Sequence, residues 1–362
     1  MIKKRIIISG GGTAGHIFPA LSIAEELNNS SNFYDFLFVG ANNRMEMRKV
    51  PLAGYKIKGL WIDGIQRDFS FRNVIFPLKL FVSLIQSFFI IINFRPQCVV
   101  GTGGFASGPL LFVASLLRIP TIIHEQNSFP GITNKLLGNV VNKICVSYDG
   151  MEKYFPYKKI IKTGNPIRKA LRKNCDLNLA QDFFKLSNKK LTILIIGGSL
   201  GAEPINKLIA KKINFFSRYQ LIWQTGKLNY QKYNKLSGDF NNISVFDFID
   251  RMDLAYSVAD IVISRAGAIA ITEICFLQKA SILIPSPYVS ENHQMKNAIT
   301  LAKHEACLIV EEKDLEKQFF SKLGELLNSK FYRKKIAENA KKISVNNSSM
   351  KIIKVMNRVL QS

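Results

Sequence analysis

Three of the chain's four histidines stand beside residues that could do chemistry. His16 closes SGGGTAGH (9–16), His124 opens HEQN (124–127), and His293 lies in ENHQMKNA (291–298). A glycine turn that feeds a helix points backbone N–H groups into one space and adds the positive end of the helix dipole, so it holds anions. That end disfavours imidazolium, which suits a histidine there to accept a proton. His16 is the candidate general base, and His124 reads as a residue that orients its loop. Two more glycine turns follow: GTGGFASGP (101–109), with Gly103 and Gly104, and GGSLGA (197–202). Four glycines in eight residues of the second are costly unless backbone must approach something closely. Three such turns imply a ligand with more than one phosphate group.

A fourth run, RAGAIAITE (265–273), places Glu273 in the first turns of a helix. A carboxylate there suits the dipole, and its two oxygens match the hydroxyls of a ribose diol. ENHQ adds amide and imidazole groups suited to sugar hydroxyls. No Asp-x-Asp occurs, so neither a metal nor another cofactor is expected. A diphosphate leaving group would then be stabilised by loop amides and helix dipoles. A nicotinamide enzyme is disfavoured, because Phe38-Val39-Gly40-Ala41 stands where an acidic residue would end the second strand.

The elements that must position these residues alternate. Short apolar runs in 5–8, 36–39, 98–104, 120–127 and 143–149 end in glycine or polar residues, with helical spacing between several of them. The pattern restarts at KLTILIIGGSLGAEPINKLI (190–209) and continues through 220–226, 243–249, 259–264 and 280–287. The reading is α/β, with two parallel-sheet halves facing a cleft at the carboxyl ends of their strands. The Asn-Pro turn in TGNPIRKAL (163–171) marks the join, giving domains 1–163 and 164–362, with the last helix able to pack back on the first.

Fifty Lys and Arg against 26 Asp and Glu leave a formal charge of +24. An anionic partner fits, although lysine is spread widely enough to read in part as solvated surface. No nucleic-acid motif is present, so an acidic membrane surface or a phosphorylated substrate is preferred. Five scattered cysteines without a CxxC pair fit a reducing cytoplasm. The apolar run near the start is too short for a signal peptide. Residues 75–92 are almost continuously apolar, but Lys79, Ser83, Gln86 and Ser87 form a polar stripe at helical spacing. An amphipathic helix with a wide apolar face is expected, either packed in the core or partly exposed to lipid, with a membrane-spanning segment as the lesser alternative.

Taken in order, GGTAGHIFPA, GTGGFASGP, IPTIIHEQN, TGNPIR, GGSLGA, FIDRM, RAGAIAITE and HQMKNA resemble the MurG family over most of the chain. The resemblance implies the GT-B fold, two Rossmann-like domains. It also implies an inverting transfer of N-acetylglucosamine from UDP-N-acetylglucosamine to lipid I, at the cytoplasmic face of the inner membrane. On the donor side it implies Thr13, Ala14, Gly15, Asn127, Arg168, Ser199, the backbone of Ile249, the helix start Ala268, Ile269, Ala270 and Ile271, the ribose ligand Glu273, and His293 with Gln294. Gly12, Gly103, Gly104, His124 and Glu125 fall on the acceptor side. Two residues depart from the pattern: Ala14 replaces a glycine, and Leu200 stands where many members have glutamine. Alternatives are another lipid glycosyltransferase of this fold, or a non-catalytic UDP-sugar-binding membrane protein.

Overall fold

The computed structural model describes residues 3–30, 34–64, 74–173, 175–187, 190–198 and 200–361. They form two compact units, Met1–Arg168 with Val345–Ser362, and Lys169–Ser344.

The first unit holds a seven-stranded parallel sheet. Its strands are β1 (Lys4–Ser9), β2 (Tyr34–Ala41), β3 (Lys56–Leu60), β4 (Cys98–Gly101), β5 (Thr121–Glu125), β6 (Lys143–Val146) and β7 (Ile160–Lys162), in the order β3-β2-β1-β4-β5-β6-β7. Side chains alternate across a strand, so neighbouring isoleucines feed different cores. Ile7, Leu37, Val39, Val99 and Ile123 pack under the helices Phe76–Phe94 and Ser107–Leu116. Ile6, Ile8, Phe36, Phe38 and Val100 pack under the helix Ala14–Ser30 and the last helix, Ser348–Gln361. Burial on both faces is why the inner strands read as unbroken apolar runs.

The join differs from the expected 163/164 boundary. Residues 164–168 stay with the first unit because Asn165 is tied into it: Ser147 Oγ donates to its Oδ1 at 2.6 Å, and its Nδ2 donates to the Gln126 carbonyl. The last helix also belongs there, since Ile352, Ile353, Val355 and Met356 complete the core under Ala14–Ser30.

The second unit repeats the plan with six parallel strands: β8 (Thr192–Ile196), β9 (Gln220–Gln224), β10 (Ile243–Phe246), β11 (Ile261–Ser264), β12 (Ala280–Leu283) and β13 (Leu308–Ile309). Their order is β10-β9-β8-β11-β12-β13. In each sheet the chain first winds to one side and then returns to the middle to wind to the other. The reversals fall between β1 and β4 and between β8 and β11, where doubly wound sheets bind ligands.

Candidate active site

The first two glycine turns follow β1 and β4, so both sit at the reversal of the first sheet. They touch backbone to backbone. Gly11 N–H donates to the Gly103 carbonyl at 3.2 Å, and a Cβ on Gly104 would lie 2.4 Å from the Gly11 oxygen. Gly103 and Gly104 have φ of +98° and +94°, which only glycine adopts cheaply. These glycines serve close approach between the two loops.

His16 lies in the first turn of Ala14–Ser30. Its Nδ1 is 2.9 Å from the Gly11 carbonyl. A carbonyl only accepts, so this bond places the ring proton on Nδ1 and leaves Nε2 with a free lone pair. Thr13 Oγ1 is 3.4 Å from the same nitrogen. Thr102 Oγ1 donates to the His16 carbonyl at 2.8 Å and ties the helix start to the second turn. The Gly12 N–H does not face a ligand. It donates to Glu46 Oε2 at 2.9 Å, while Thr13, Ala14 and Gly15 lie beyond it at the helix start.

HEQN is mostly buried scaffolding behind these turns. His124 is wholly buried, its Nε2 3.1 Å from the Gly164 carbonyl and its Nδ1 3.0 Å from Gln126 Nε2. The carbonyl needs a donor, so Nε2 carries the proton and Nδ1 accepts. Burial pushes the His124 pKa down to about 4. Gln126 Nε2 also reaches the Thr102 carbonyl at 2.8 Å. Glu125 is buried as well. Its Oε1 accepts from the Asn127 amide N–H and side chain, and its Oε2 from Gly131 N–H and Asn134 Nδ2. His124 and Glu125 therefore lie beneath the loop rather than on its surface, and Asn127 is the half-buried member. The Arg168 guanidinium stacks on Phe18, two residues beyond His16, at 5.1 Å.

In the second unit the third glycine turn follows β8 and precedes the helix Glu203–Lys211. Ser199 lies outside the described residues. Gly198 and Gly201 have φ of +89° and +79°, and a Cβ on Gly201 would meet the Thr225 carbonyl at 1.9 Å. Leu200 is exposed. Gln224 joins this turn to the next segment. Its Nε2 donates to the Gly198 carbonyl at 2.8 Å, and its Oε1 accepts from Ile249 N–H at 2.9 Å. That bond occupies one half of the backbone expected at uracil and leaves the Ile249 carbonyl to do the accepting. Asn206 holds the helix to the sheet through the Thr225 carbonyl and the Trp223 indole.

β11 leads through Arg265, which pairs with Glu312 in a largely buried contact, to the helix Ala268–Phe276. Gly267 caps that helix with extended backbone (φ −70°, ψ 141°), so the N–H groups of Ala268–Ala270 open the first turn, while that of Ile271 donates to the Gly267 carbonyl at 3.0 Å. Glu273 is buried one turn on. His293 and Gln294 start the helix His293–Ala302. Gln294 Oε1 accepts from Ser286 N–H at 2.9 Å, which leaves its amide nitrogen to donate. Asn297 Nδ2, 3.4 Å from the Ala266 carbonyl, ties that helix to the turn after β11.

Residues 6–146 match the glycosyltransferase family 28 N-terminal domain, and residues 192–354 match its C-terminal domain. The whole chain is 48% identical to the UDP-N-acetylglucosamine–N-acetylmuramyl-(pentapeptide) pyrophosphoryl-undecaprenol N-acetylglucosamine transferase of Flavobacterium psychrophilum, over 99% of that protein. The chain belongs to the MurG family. A second family member, the transferase of that name from Christiangramia forsetii, is 46% identical over 99% of this chain and 98% of its own. The crystal structure of Acinetobacter baumannii MurG has a TM-score of 0.76 at 26% identity, covering 98% of this chain and 99% of that one. The paired Rossmann-like units are therefore the family's fold.

Three residues that hold the turns are not among the candidate site residues read from the sequence: Glu46, Gln126 and Gln224. Glu46 sits in RMEMRK, where one acid among basic residues reads as a surface charge. Its position just after a strand that ends in glycine was the available signal.

Proposed function

We propose that this chain transfers N-acetylglucosamine from UDP-N-acetylglucosamine to the 4-hydroxyl of the muramoyl sugar of lipid I, forming lipid II for peptidoglycan. The observation that carries the reading is full-length identity of 48% and 46% to proteins named as that transferase. The 4-hydroxyl oxygen attacks the anomeric carbon from the face opposite UDP. The bond from that carbon to the diphosphate oxygen breaks, UDP leaves, and the configuration inverts. His16 Nε2 takes the hydroxyl proton, and the Gly11 carbonyl holds the Nδ1–H of the resulting imidazolium. Charge growing on UDP falls to the glycine turn at 197–202 and the helix start Ala268–Ile271, each well-aimed donor being worth roughly 3 kcal/mol of barrier. Glu273 accepts from the ribose, the Ile249 carbonyl from uracil, and His293 and Gln294 meet the sugar.

Radiolabelled UDP-N-acetylglucosamine with purified lipid I tests this. Label should move into a lipid-linked disaccharide. Transfer only to a different lipid acceptor would replace lipid I, and UDP binding without transfer to any acceptor would remove the enzyme reading.

We further infer that the first unit docks on an anionic bilayer. The helix Phe76–Phe94 is apolar and long enough to cross a membrane by length and composition, with 22% of its apolar window buried. It is turned inside out. Ser83 and Ser87 of the polar stripe are wholly buried, Gln86 accepts from Trp61 N–H, and Lys79 pairs with Asp63. Phe81 and Phe89 are 61% and 58% exposed, and Ile85, Phe88 and Ile92 are exposed beside them. The neighbouring helices Ser107–Leu116 and Ile132–Leu137 add exposed Phe112, Leu116, Ile132 and Leu136. An exposed apolar surface on this scale marks an interaction site. Lys135 shares a helix with Ile132 and Leu136, and each Lys or Arg near an anionic surface adds about 1 kcal/mol.

A further inference from the structure

We propose that Glu46 is a positioning residue for His16, acting through the peptide group between Gly11 and Gly12. This rests on the reading of His16 as base. Glu46 is wholly buried. Its Oε1 accepts from Ala41 N–H at 2.9 Å and its Oε2 from Gly12 N–H at 2.9 Å. The carbonyl of that same peptide group, on Gly11, accepts from His16 Nδ1 at 2.9 Å. Carboxylate, peptide and imidazole thus form one hydrogen-bonded chain.

Its polarity runs one way. The carboxylate pulls on the Gly12 N–H and pushes electron density towards the Gly11 oxygen, because hydrogen bonds in series polarise one another. That oxygen then holds the Nδ1–H more firmly, most of all when Nε2 has taken a proton and the ring is cationic. A catalytic base is commonly oriented by a third group; here a peptide carries that influence.

The fold makes room for this. A Cβ on Gly11 would sit 2.0 Å from Glu46 Oε1, and one on Gly40 would sit 2.4 Å from its Cγ. Glycine at both positions leaves the volume that the carboxylate fills. The charged groups nearby are engaged elsewhere: Arg44, two residues before Glu46, pairs with Asp63, which also holds Lys79, and Arg168 stacks on Phe18 of the His16 helix. Lys49 follows on the short helix of Glu46, and Glu25 and Glu26 lie further along the His16 helix. Glu46 is satisfied by two amides, and its charge reaches His16 through only one of them.

The test is a double-mutant cycle between Glu46→Gln and His16→Ala, read as kcat with lipid I. Loss of a charge-assisted bond relayed through one peptide should lower kcat about tenfold. UDP-N-acetylglucosamine affinity should stay within about twofold, and the acid limb of the kcat/KM pH profile should move to lower pH. In the His16→Ala background, the Glu46→Gln change should cost nothing further. An equal loss in both backgrounds, no loss in either, or an acid limb that stays in place would overturn the proposal. Full turnover in His16→Ala alone would instead overturn the reading of His16 as base. Should Glu46→Gln fail to fold, the imidazole ¹⁵N shifts of the native enzyme still decide. His16 should be protonated on Nδ1 near neutral pH, and a proton on Nε2 would break the chain.

Discussion

At His16 the backbone decides which nitrogen is free. The Gly11 carbonyl claims Nδ1, and Gly103 keeps the other edge of the ring open, since a Cβ there would fall 2.9 Å from Cδ2 and 3.0 Å from Nε2. With its φ of +98°, Gly103→Ala must shift the ring or the turn. Turnover with lipid I should fall at least tenfold, while removing the base by His16→Ala should cost on the order of 10²–10⁴. His124 offers a separate check. Buried and neutral, it has a pKa near 4 in the folded chain against an ordinary value of 6.5. The unfolded chain takes up that proton first as pH falls. The stabilisation is therefore complete above 6.5 and is lost on acidifying towards 4, amounting to about 3 kcal/mol. Urea unfolding between pH 7.5 and 4.5 should show a smaller loss for His124→Gln than for the natural chain. Equal losses would mean that this buried ring does not titrate as described.

Among the elements, the helix Phe76–Phe94 shows what periodicity can and cannot tell. Its polar stripe was legible from Lys79, Ser83, Gln86 and Ser87, but not its direction. Serine hydroxyls can satisfy themselves on their own helix, as Ser83 does on the Leu80 carbonyl and Ser87 on the Ser83 carbonyl. They can then face a core at little cost. Two substitutions separate inside from outside. Ser87→Leu should destabilise the unit by about 1–3 kcal/mol through overpacking. Phe81→Gln with Phe89→Gln should leave the melting temperature nearly unchanged but reduce sedimentation with anionic vesicles severalfold. Unreduced binding would reject the membrane reading, and equal binding to neutral and anionic vesicles would reject its electrostatic part. Strands show the same limit. β3 was missed because Lys56 and Lys58 alternate with apolar residues at a sheet edge, where lysine guards against further pairing. β7 and β13, three and two residues long, are too short to carry a pattern.

At the scale of the molecule, the chain builds the same doubly wound sheet twice and puts glycine turns at the reversal each time. That repetition was legible, because an apolar run ending in glycines recurs at 5–12 and 192–198. The return of Ser348–Gln361 to the first unit was open in the sequence, since a helix with one apolar face suits either sheet. Least legible were the groups under the turns, because Glu46, Gln126 and Gln224 matter through backbone partners that no side-chain pattern announces. The two units divide the proposed work: His16 and the apolar face lie in the first, and the turn at 197–202, Ile249 and Glu273 in the second. A crystal structure of the complex with UDP-N-acetylglucosamine tests that assignment most directly. Uracil should lie at the Ile249 carbonyl, the ribose hydroxyls on Glu273, and the diphosphate against the turn at 197–202 and the N–H groups of Ala268–Ala270. A nucleotide bound away from these groups, with both glycine-bordered helix starts of the second unit empty, would contradict the account.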